Sequence, residues 1–550
     1  TQVSEYTVQM EEVKKIPGTQ GDVVKIVQSM PGVARNLAIG GSGGVGLVVR
    51  GAAPEDSRVL IDGHEIPLLY HFGGLKSVLN SDMLERIDFM PGGFGPEYGE
   101  AIGGIVGVRT RRARTSGFDG YVDSSLLDMG FFLEGPLGRD DVGFIAAARR
   151  STVDLWLPHV IPSDLGMEFT VAPVYYDYQA KVDWSINAAN HLSLLAFGSH
   201  DEMKFLLSKP PSGDPSLRGE MSMWVDFHRV FIGWTCAPPE GWQLSASIAG
   251  GWDRAKLQVG DDRHMYIAVP NFEGKLDWQW DLSGNLTLRA GFEAGGAHFD
   301  ASLAMPRPPK EGELPGRFAT QKLLVGTEAI MSGGVMAYAL ADIKPTEKTT
   351  WSAGLRWEWY GPPLWQLAVM PRFSVRHSPR KGTVVKASVG LYQQMPQHDE
   401  LSRVLGNPRL LLERAWHFTM GLEQEFPLHL RGEFTAFFKT LDRLVVPDDA
   451  TMYSNRGVGK ISGIEVLLKR EMSDNFFGWL AYTFMRSRRR DGPGQPWRLF
   501  SFDQTHILTL VAGLRIPTGP PVAAHHQRDG WEFGLRFQLV SGNPYTPVVG

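Results

Sequence analysis

From Phe118 onward, apolar and polar residues alternate with a period of two, in runs longer than the ~5–6 residues usual for strands of soluble sheets. Leu286, Leu288, Ala290 and Phe292 interleave with Thr287, Arg289 and Gly291 ahead of Glu293, and Trp242, Leu244, Ala246 and Ile248 interleave with Gln243, Ser245 and Ser247. Across Leu428–Phe438, the residues Leu428, Leu430, Phe434, Ala436 and Phe438 fall on one face and His429, Arg431, Glu433 and Thr435 on the other. Successive side chains of a strand point to opposite faces, so each run is a strand with one apolar and one polar side. A soluble sandwich alternates in the same way, and the connections have to separate the two architectures.

Tight polar turns stand at Leu137–Asp141, Asn187–Asn190, Pro238–Gly241, Ser283–Asn285, Lys344–Lys348, Ser378–Gly382 and Ser473–Asn475. Between them, at every other junction, lie mostly longer connections: Thr152–Ala172, Phe205–Glu220, Ala301–Ile330, Met395–Leu412 and Val445–Arg456. Regular short-long alternation brings all the long connections to one end, as in an outer-membrane barrel with periplasmic turns and external loops. Aromatic residues near strand ends, such as Trp351, Trp357, Trp359 and Tyr360, or Trp278 and Trp280, suit interfacial girdles. The mean hydropathy of −0.16 looks soluble. No run approaches the ~18 apolar residues of a membrane helix, but a barrel spreads its apolar residues over alternate positions.

The N-terminal region follows other rules. A short strand at Tyr6–Gln9 and a Pro17-Gly18 turn precede a helix in which Asp22 is the N-cap of Val23, Val24, Ile26 and Val27, stopped by Pro31-Gly32. Leu47–Thr110 reads as a small mixed α/β unit, with β-branched runs at Leu47–Val49, Val59–Asp62 and Arg86–Met90 and an amphipathic helical turn around Leu75–Leu84. The boundary is expected between residues 115 and 116. Within Ile39–Gly46, Gly41, Gly43 and Gly46 mimic a dinucleotide fingerprint, and the glycines around Ser42 mimic a nucleophile elbow. Both motifs require a helix next, whereas a strand follows here.

Other features exclude more than they assign. A net charge of −5 is too mild to indicate nucleic acid. Cys236 is the sole cysteine, which rules out an internal disulfide or a cysteine-rich metal site. His525-His526 lacks companion ligands, and no acid/base or nucleophile constellation or cofactor motif stands out, which argues against an enzyme. Thr1 opens into polar sequence with no signal peptide, so the chain is expected to be either cytosolic or already processed. Counting strands gives ~19 by Ser541, an odd number that leaves the chain in an external loop and implies that the last strands lie beyond it. The proline-rich Thr518–Gly530 is too long for a turn at the short-turn end.

Taken in order, several segments resemble the TonB-dependent outer-membrane receptor family. They are Val49-Arg50-Gly51, Val59-Leu60-Ile61-Asp62-Gly63, Leu84-Glu85-Arg86-Ile87-Asp88 and Tyr98-Gly99 followed by Ala101-Ile102-Gly103-Gly104-Ile105-Val106. Later come Tyr453-Ser454-Asn455, Gly463-Ile464-Glu465 and Ser541-Gly542-Asn543-Pro544. The resemblance spans nearly the whole chain. It implies an all-β transmembrane barrel of about 22 antiparallel strands with an N-terminal α+β plug in its lumen, located in the bacterial outer membrane. It further implies energised import of a scarce small-molecule or peptide ligand (siderophore, cobalamin, glycan or peptide) without a cofactor. The implied partners are a TonB-type inner-membrane protein and the surrounding lipid. An alternative is a docking or export platform for a partner protein or lipoprotein; a passive porin is disfavoured because the plug fills the lumen. Thr1–Gln9 is either the TonB box or the plug's first strand, and the second reading is preferred.

The resemblance also locates site residues. Plug-to-wall locks are expected at Arg50 and Glu465, with Arg86 a further candidate, although unrelated surface charges would leave the same sequence trace. The family's second lock is absent, with Pro91 and Thr419 at its two positions. The plug segments Ala34–Gly46, Pro67–Gly74 and Gly92–Gly104 are expected to face outside. Their ligand candidates are Tyr70, His71, Phe72, Phe94 and Tyr98, which either contact a ligand or pack against the wall. Arg486, Arg488, Arg489 and Arg490 lead into an external loop, either solvated or attracting an anion.

Overall fold

The computed structural model describes residues 5–10, 22–35, 47–67, 70–71, 76–160, 167–207, 219–260, 262–306, 323–470, 476–517 and 530–544. Phe72, the glycine loop before Leu47, His525-His526 and most of Thr518–Gly530 lie outside them.

The plug has seven short strands: β1 (Tyr6–Gln9), β2 (Val33–Arg35), β3 (Leu47–Val49), β4 (Arg58–Ile61), β5 (His64–Glu65), β6 (Leu84–Met90) and β7 (Ile105–Thr110). Five form one sheet in the order β1-β6-β7-β4-β5, while β2 and β3 pair separately. Tyr6–Gln9 is thus a plug strand, antiparallel to β6. Helix α1 (Val23–Val27) starts at Asp22, whose Oδ1 accepts the Lys25 N–H at 3.3 Å, as its cap position requires. β4 and β5 are joined by Asp62-Gly63 with φ of 47° and 91°, the two-residue hairpin turn that Asp-Gly favours.

The helical turn expected around Leu75–Leu84 is replaced, among the described residues, by a 3₁₀ turn at Ser81–Met83 and a bridge between Tyr70 and Ser77. Asn80 explains the change: its side chain accepts the Asp82 N–H at 2.8 Å, a local bond that competes with helix.

From Asp119 each strand runs antiparallel to the strand it pairs with, and the described residues contain 20 barrel strands in cyclic order. One of them is the two-residue Arg498–Leu499, which pairs with Phe476–Arg490 as His506–Pro517 also does; without it the count is 19, the number read from the sequence. Turns at the short end are tight, as between Thr346 and Thr349 or Arg380 and Thr383. At the other end several strands outrun the connections expected from sequence. Leu323–Thr346 has 24 residues, and the expected loop Val445–Arg456 is mostly strand, because Leu430–Asp448 and Met452–Arg470 rise on either side of it.

Parity sorts the wall. In Glu413–Phe426, the residues Glu413, Ala415, His417, Thr419 and Glu423 are buried toward the lumen, whereas Phe418, Met420 and Leu422 are exposed outward. Trp351, Trp357 and Trp359 are exposed, as are Trp278 and Trp280, whose stacked rings lie 5.5 Å apart. Tyr360 is a correction to the girdle: it follows Trp359 in the same strand, takes the opposite face, and is buried.

Candidate functional site

The plug is tied to the lumen wall on several sides. Arg50 adopts φ 48° in the turn after β3 and is fully buried. Its Nε and Nη2 donate to Glu465 Oε1 and Oε2 at 2.8 and 2.5 Å, and its guanidinium lies 4.3 Å over the Phe437 ring. The backbone supports the pair, since the Arg50 N–H donates to Gly32 O at 2.7 Å and the Gly32 N–H to Thr483 Oγ1 at 2.8 Å.

Arg86 does not share this role. Its Nε donates to Asp88 Oδ2 at 3.0 Å within the same strand, because residues two apart in β6 share a face, and among the described residues this is its ion pair.

Where the family's second lock is missing, other wall residues hold the plug backbone. Lys439 Nζ donates to Pro91 O and Gly103 O at 3.2 and 2.7 Å, and His417 Nε2 to Ile102 O at 2.9 Å. Arg372 Nη1 donates to Tyr98 O at 2.7 Å and Arg356 Nη1 to Pro96 O at 3.1 Å. From the arginine run assigned to a loop, Arg489 turns inward, with Nη2 3.1 Å from Asp56 Oδ2 and its guanidinium 3.5 Å over the Phe500 ring. Sequence reasoning missed Lys439, His417, Arg372 and Arg356. The usable signal was a lone charge or imidazole at an inward position of a wall strand, where polar lumen lining is the rule.

The described aromatic candidates pack against wall or plug, the second of their two alternatives. His71 is fully buried, its Nδ1 2.5 Å from Asp201 Oδ1 and its Nε2 3.0 Å from Asp177 Oδ2, with its ring stacked 3.9 Å from Tyr175. Burial opposes charging of the imidazole, but the two wall carboxylates outweigh it and raise its pKa. Tyr70 is buried too, its hydroxyl accepting from Gln28 Nε2 at 3.0 Å. Phe94 is fully buried with its ring 4.5 Å from Tyr392, and Tyr98 is half-buried beside a cavity on the short-turn side. The physical reason is common to these residues: a segment at the plug rim gains more by filling the gap to the wall than by standing in water.

Among the cavities between plug and wall, two flank the β4–β5 hairpin. One of about 550 Å³ opens toward the short-turn side and is lined by Asp62, Asp88, Arg109, Lys181 and Asp183 among others. The second, about 430 Å³, lies toward the long-loop side between the plug's His64, Glu65 and Glu100 and the wall's Arg229, Asp253 and Asn271, with His398 from a connection. In it Arg58 pairs with Glu65 at 2.8 Å and Arg229 with Asp253 at 2.8 Å. Among the described residues, Glu100 accepts from uncharged groups, the Tyr360 hydroxyl and the Met395 N–H. Burial, with Glu358 nearby, pushes its carboxyl up to about 7.

Among curated proteins no sequence matches this one. Solved structures match its fold. The siderophore receptor PirA from Acinetobacter baumannii aligns with a TM-score of 0.72 at 15% identity, covering 94% of this chain and 84% of that one. The outer membrane transporter YddB from Escherichia coli gives 0.70 at 13% identity over 98% and 90%, and the ferric enterobactin receptor PfeA from Pseudomonas aeruginosa 0.67 at 15% over 94% and 86%. At such identities the likeness carries the fold alone. Two family models match the sequence itself: "TonB-dependent Receptor Plug Domain" over residues 1–105 and "TonB dependent receptor-like, beta-barrel" over 114–548. The chain therefore belongs to the TonB-dependent receptors of the bacterial outer membrane, barrels whose lumen a plug occupies.

Proposed function

We propose that this receptor takes up a small polar ligand that is cationic or rich in hydrogen-bond donors, and that its long-loop-side cavity is the binding site. The observation that carries the proposal is Glu100, a half-buried plug carboxylate that lines that cavity and is bonded, among the described residues, to a hydroxyl and an amide. A volume of about 430 Å³ suits a small molecule or the head of a larger one. The other acids of the lining already have cation partners, Glu65 in Arg58, Asp253 in Arg229, and Glu273 and Glu293 in Lys275, so Glu100 is the lining acid left to a ligand and favours a cation or a donor over an anion. The ferric enterobactin named for one structural neighbour is accordingly not carried over; a basic siderophore or a basic peptide fits the lining better. Energy would come from a TonB-type partner engaging the plug from the short-turn end. A docking or export platform would have no use for a closed, charge-selective cavity.

The test is uptake by intact cells of candidate ligands of both charges, with and without an uncoupler of the proton motive force, beside thermal-shift binding to the purified protein. Cationic ligands should bind and enter only in energised cells, and Glu100→Gln should weaken binding about tenfold, the value of one charge-assisted bond. Equal binding of anions, or uptake indifferent to the uncoupler, would sink the proposal.

A further inference from the structure

The two cavities share Arg58, His64, Phe231 and Glu293 in their linings, so one layer of side chains separates the long-loop side from the short-turn side. That layer hangs on the β4–β5 hairpin. His64 is 2.7 Å from Glu273 Oε2 through Nδ1 and 2.9 Å from Ser247 Oγ through Nε2, with its ring 4.8 Å from Phe231. Beside it Lys275 Nζ donates to Gly63 O at 2.5 Å and pairs with Glu273 at 3.1 Å and Glu293 at 3.6 Å.

This hairpin is an edge of the plug sheet. β5 pairs through Leu60 with Glu65 and Ile61 with His64, followed by the Ile66 N–H to Val59 O at 3.2 Å; Asp62 is anchored to β7, accepting from the Thr110 N–H and hydroxyl at 2.9 and 2.6 Å, whereas nothing lies within 4 Å of where a Cβ on Gly63 would sit. Elsewhere the plug is held by Arg50, Lys439, His417 and His71, on other arcs of the wall.

We infer that the hairpin tip Gly63–Glu65, hinged at the anchored Asp62, is a gate. When its contacts to Ser247, Glu273 and Lys275 break, the cavities join into one polar passage along those wall residues while the rest of the plug stays docked. The cargo of that passage rests on the uptake reading; the passage itself is a property of plug and wall.

Full-length protein in a planar bilayer bathed in potassium chloride tests this directly. The His64→Ala/Lys275→Met variant should conduct about tenfold or more above the parent, since each charge-assisted bond removed raises the open population by about that factor. With Ser245→Cys added in a Cys236→Ser background, a charged thiol reagent should suppress the current, because Ser245 lines the short-turn-side cavity. In a Lys275→Met/Cys236→Ser background, a cross-link between His64→Cys and Ser247→Cys should silence the current, and reductant should restore it.

A silent double variant, a current indifferent to the thiol reagent, or a current that survives a cross-link verified by mass spectrometry would each overturn the gate. Because the assay needs no ligand and no energy partner, gated conductance without energised uptake would refute the uptake reading alone.

Discussion

Arg50 and Glu465, 415 residues apart in sequence, meet as a bidentate pair with side chains 0% and 1% exposed. Such a pair costs more to break from one side than to remove altogether, because the survivor is left charged and desolvated. Glu465→Ala should therefore destabilise the docked plug by about 3–5 kcal/mol, and Arg50→Met/Glu465→Leu should recover most of that. Hydrogen exchange of β2 and β3 measures both; equal loss in the single and double variants would contradict the pairing as a tether.

Gly32 stands where this pair leaves no room. Its φ is 72°, and a Cβ there would lie 2.3 Å from Glu465 Oε1. Gly32→Ala should cost about 1–2 kcal/mol from the left-handed backbone alone, with more from displacing the carboxylate. Combined with Glu465→Ala the two losses should not add, since the second substitution removes the collision. A double-mutant cycle on plug stability reads the coupling.

Lys439 substitutes for the missing second lock. Lys439→Met leaves Pro91 O and Gly103 O without their donor and should loosen Pro91–Gly104 by about 1–3 kcal/mol while leaving the Arg50 side intact. Faster amide exchange confined to that segment is the expected result; uniform acceleration across the plug would count against a local tether.

His71 makes one contact pH-dependent. Its folded pKa is raised above the ordinary 6.5, so its contribution is fully present below 6.5 and is lost as pH climbs through the raised value. Protease access to the Tyr70–His71 segment should rise on going from mildly acidic to alkaline conditions, and His71→Gln should flatten the profile.

Glu100 titrates with the opposite consequence for a ligand. Its folded pKa of about 7 against an ordinary 4.5 means that the empty plug loses stability as pH rises between those values, when the half-buried carboxylate must charge. A cationic ligand relieves that cost, so its affinity should increase as pH rises through about 7, and Glu100→Gln should abolish the increase. Calorimetric titration across that range is the measurement.

Much of this was legible in the residues. Alternation around Phe434 and Phe438 gave the outward face of a wall strand, and Asp22 gave a helix cap, because each depends on neighbours close in the chain. Family resemblance supplied the juxtaposition of Arg50 with Glu465. Arg86 was misplaced although its partner sat two residues away, since a same-face pairing in β6 satisfied the charge before the wall was reached. The helix expected near Leu75–Leu84 failed where Asn80 offered a local bond that periodicity does not weigh.

By itself, then, the sequence determined which residues are strand, which side of each strand meets lipid, and that a separate small domain precedes the barrel. Periods of two and turn chemistry are local properties. Only the tertiary structure decided that His71 lies between Asp177 and Asp201, that Lys439 and His417 grip the plug backbone, and that His64 separates two cavities. Those contacts join residues 106 to 336 positions apart, and which of them meet is set by barrel register and by where the plug seats. A one-residue shift of register would turn every one of these wall groups from the lumen to the lipid.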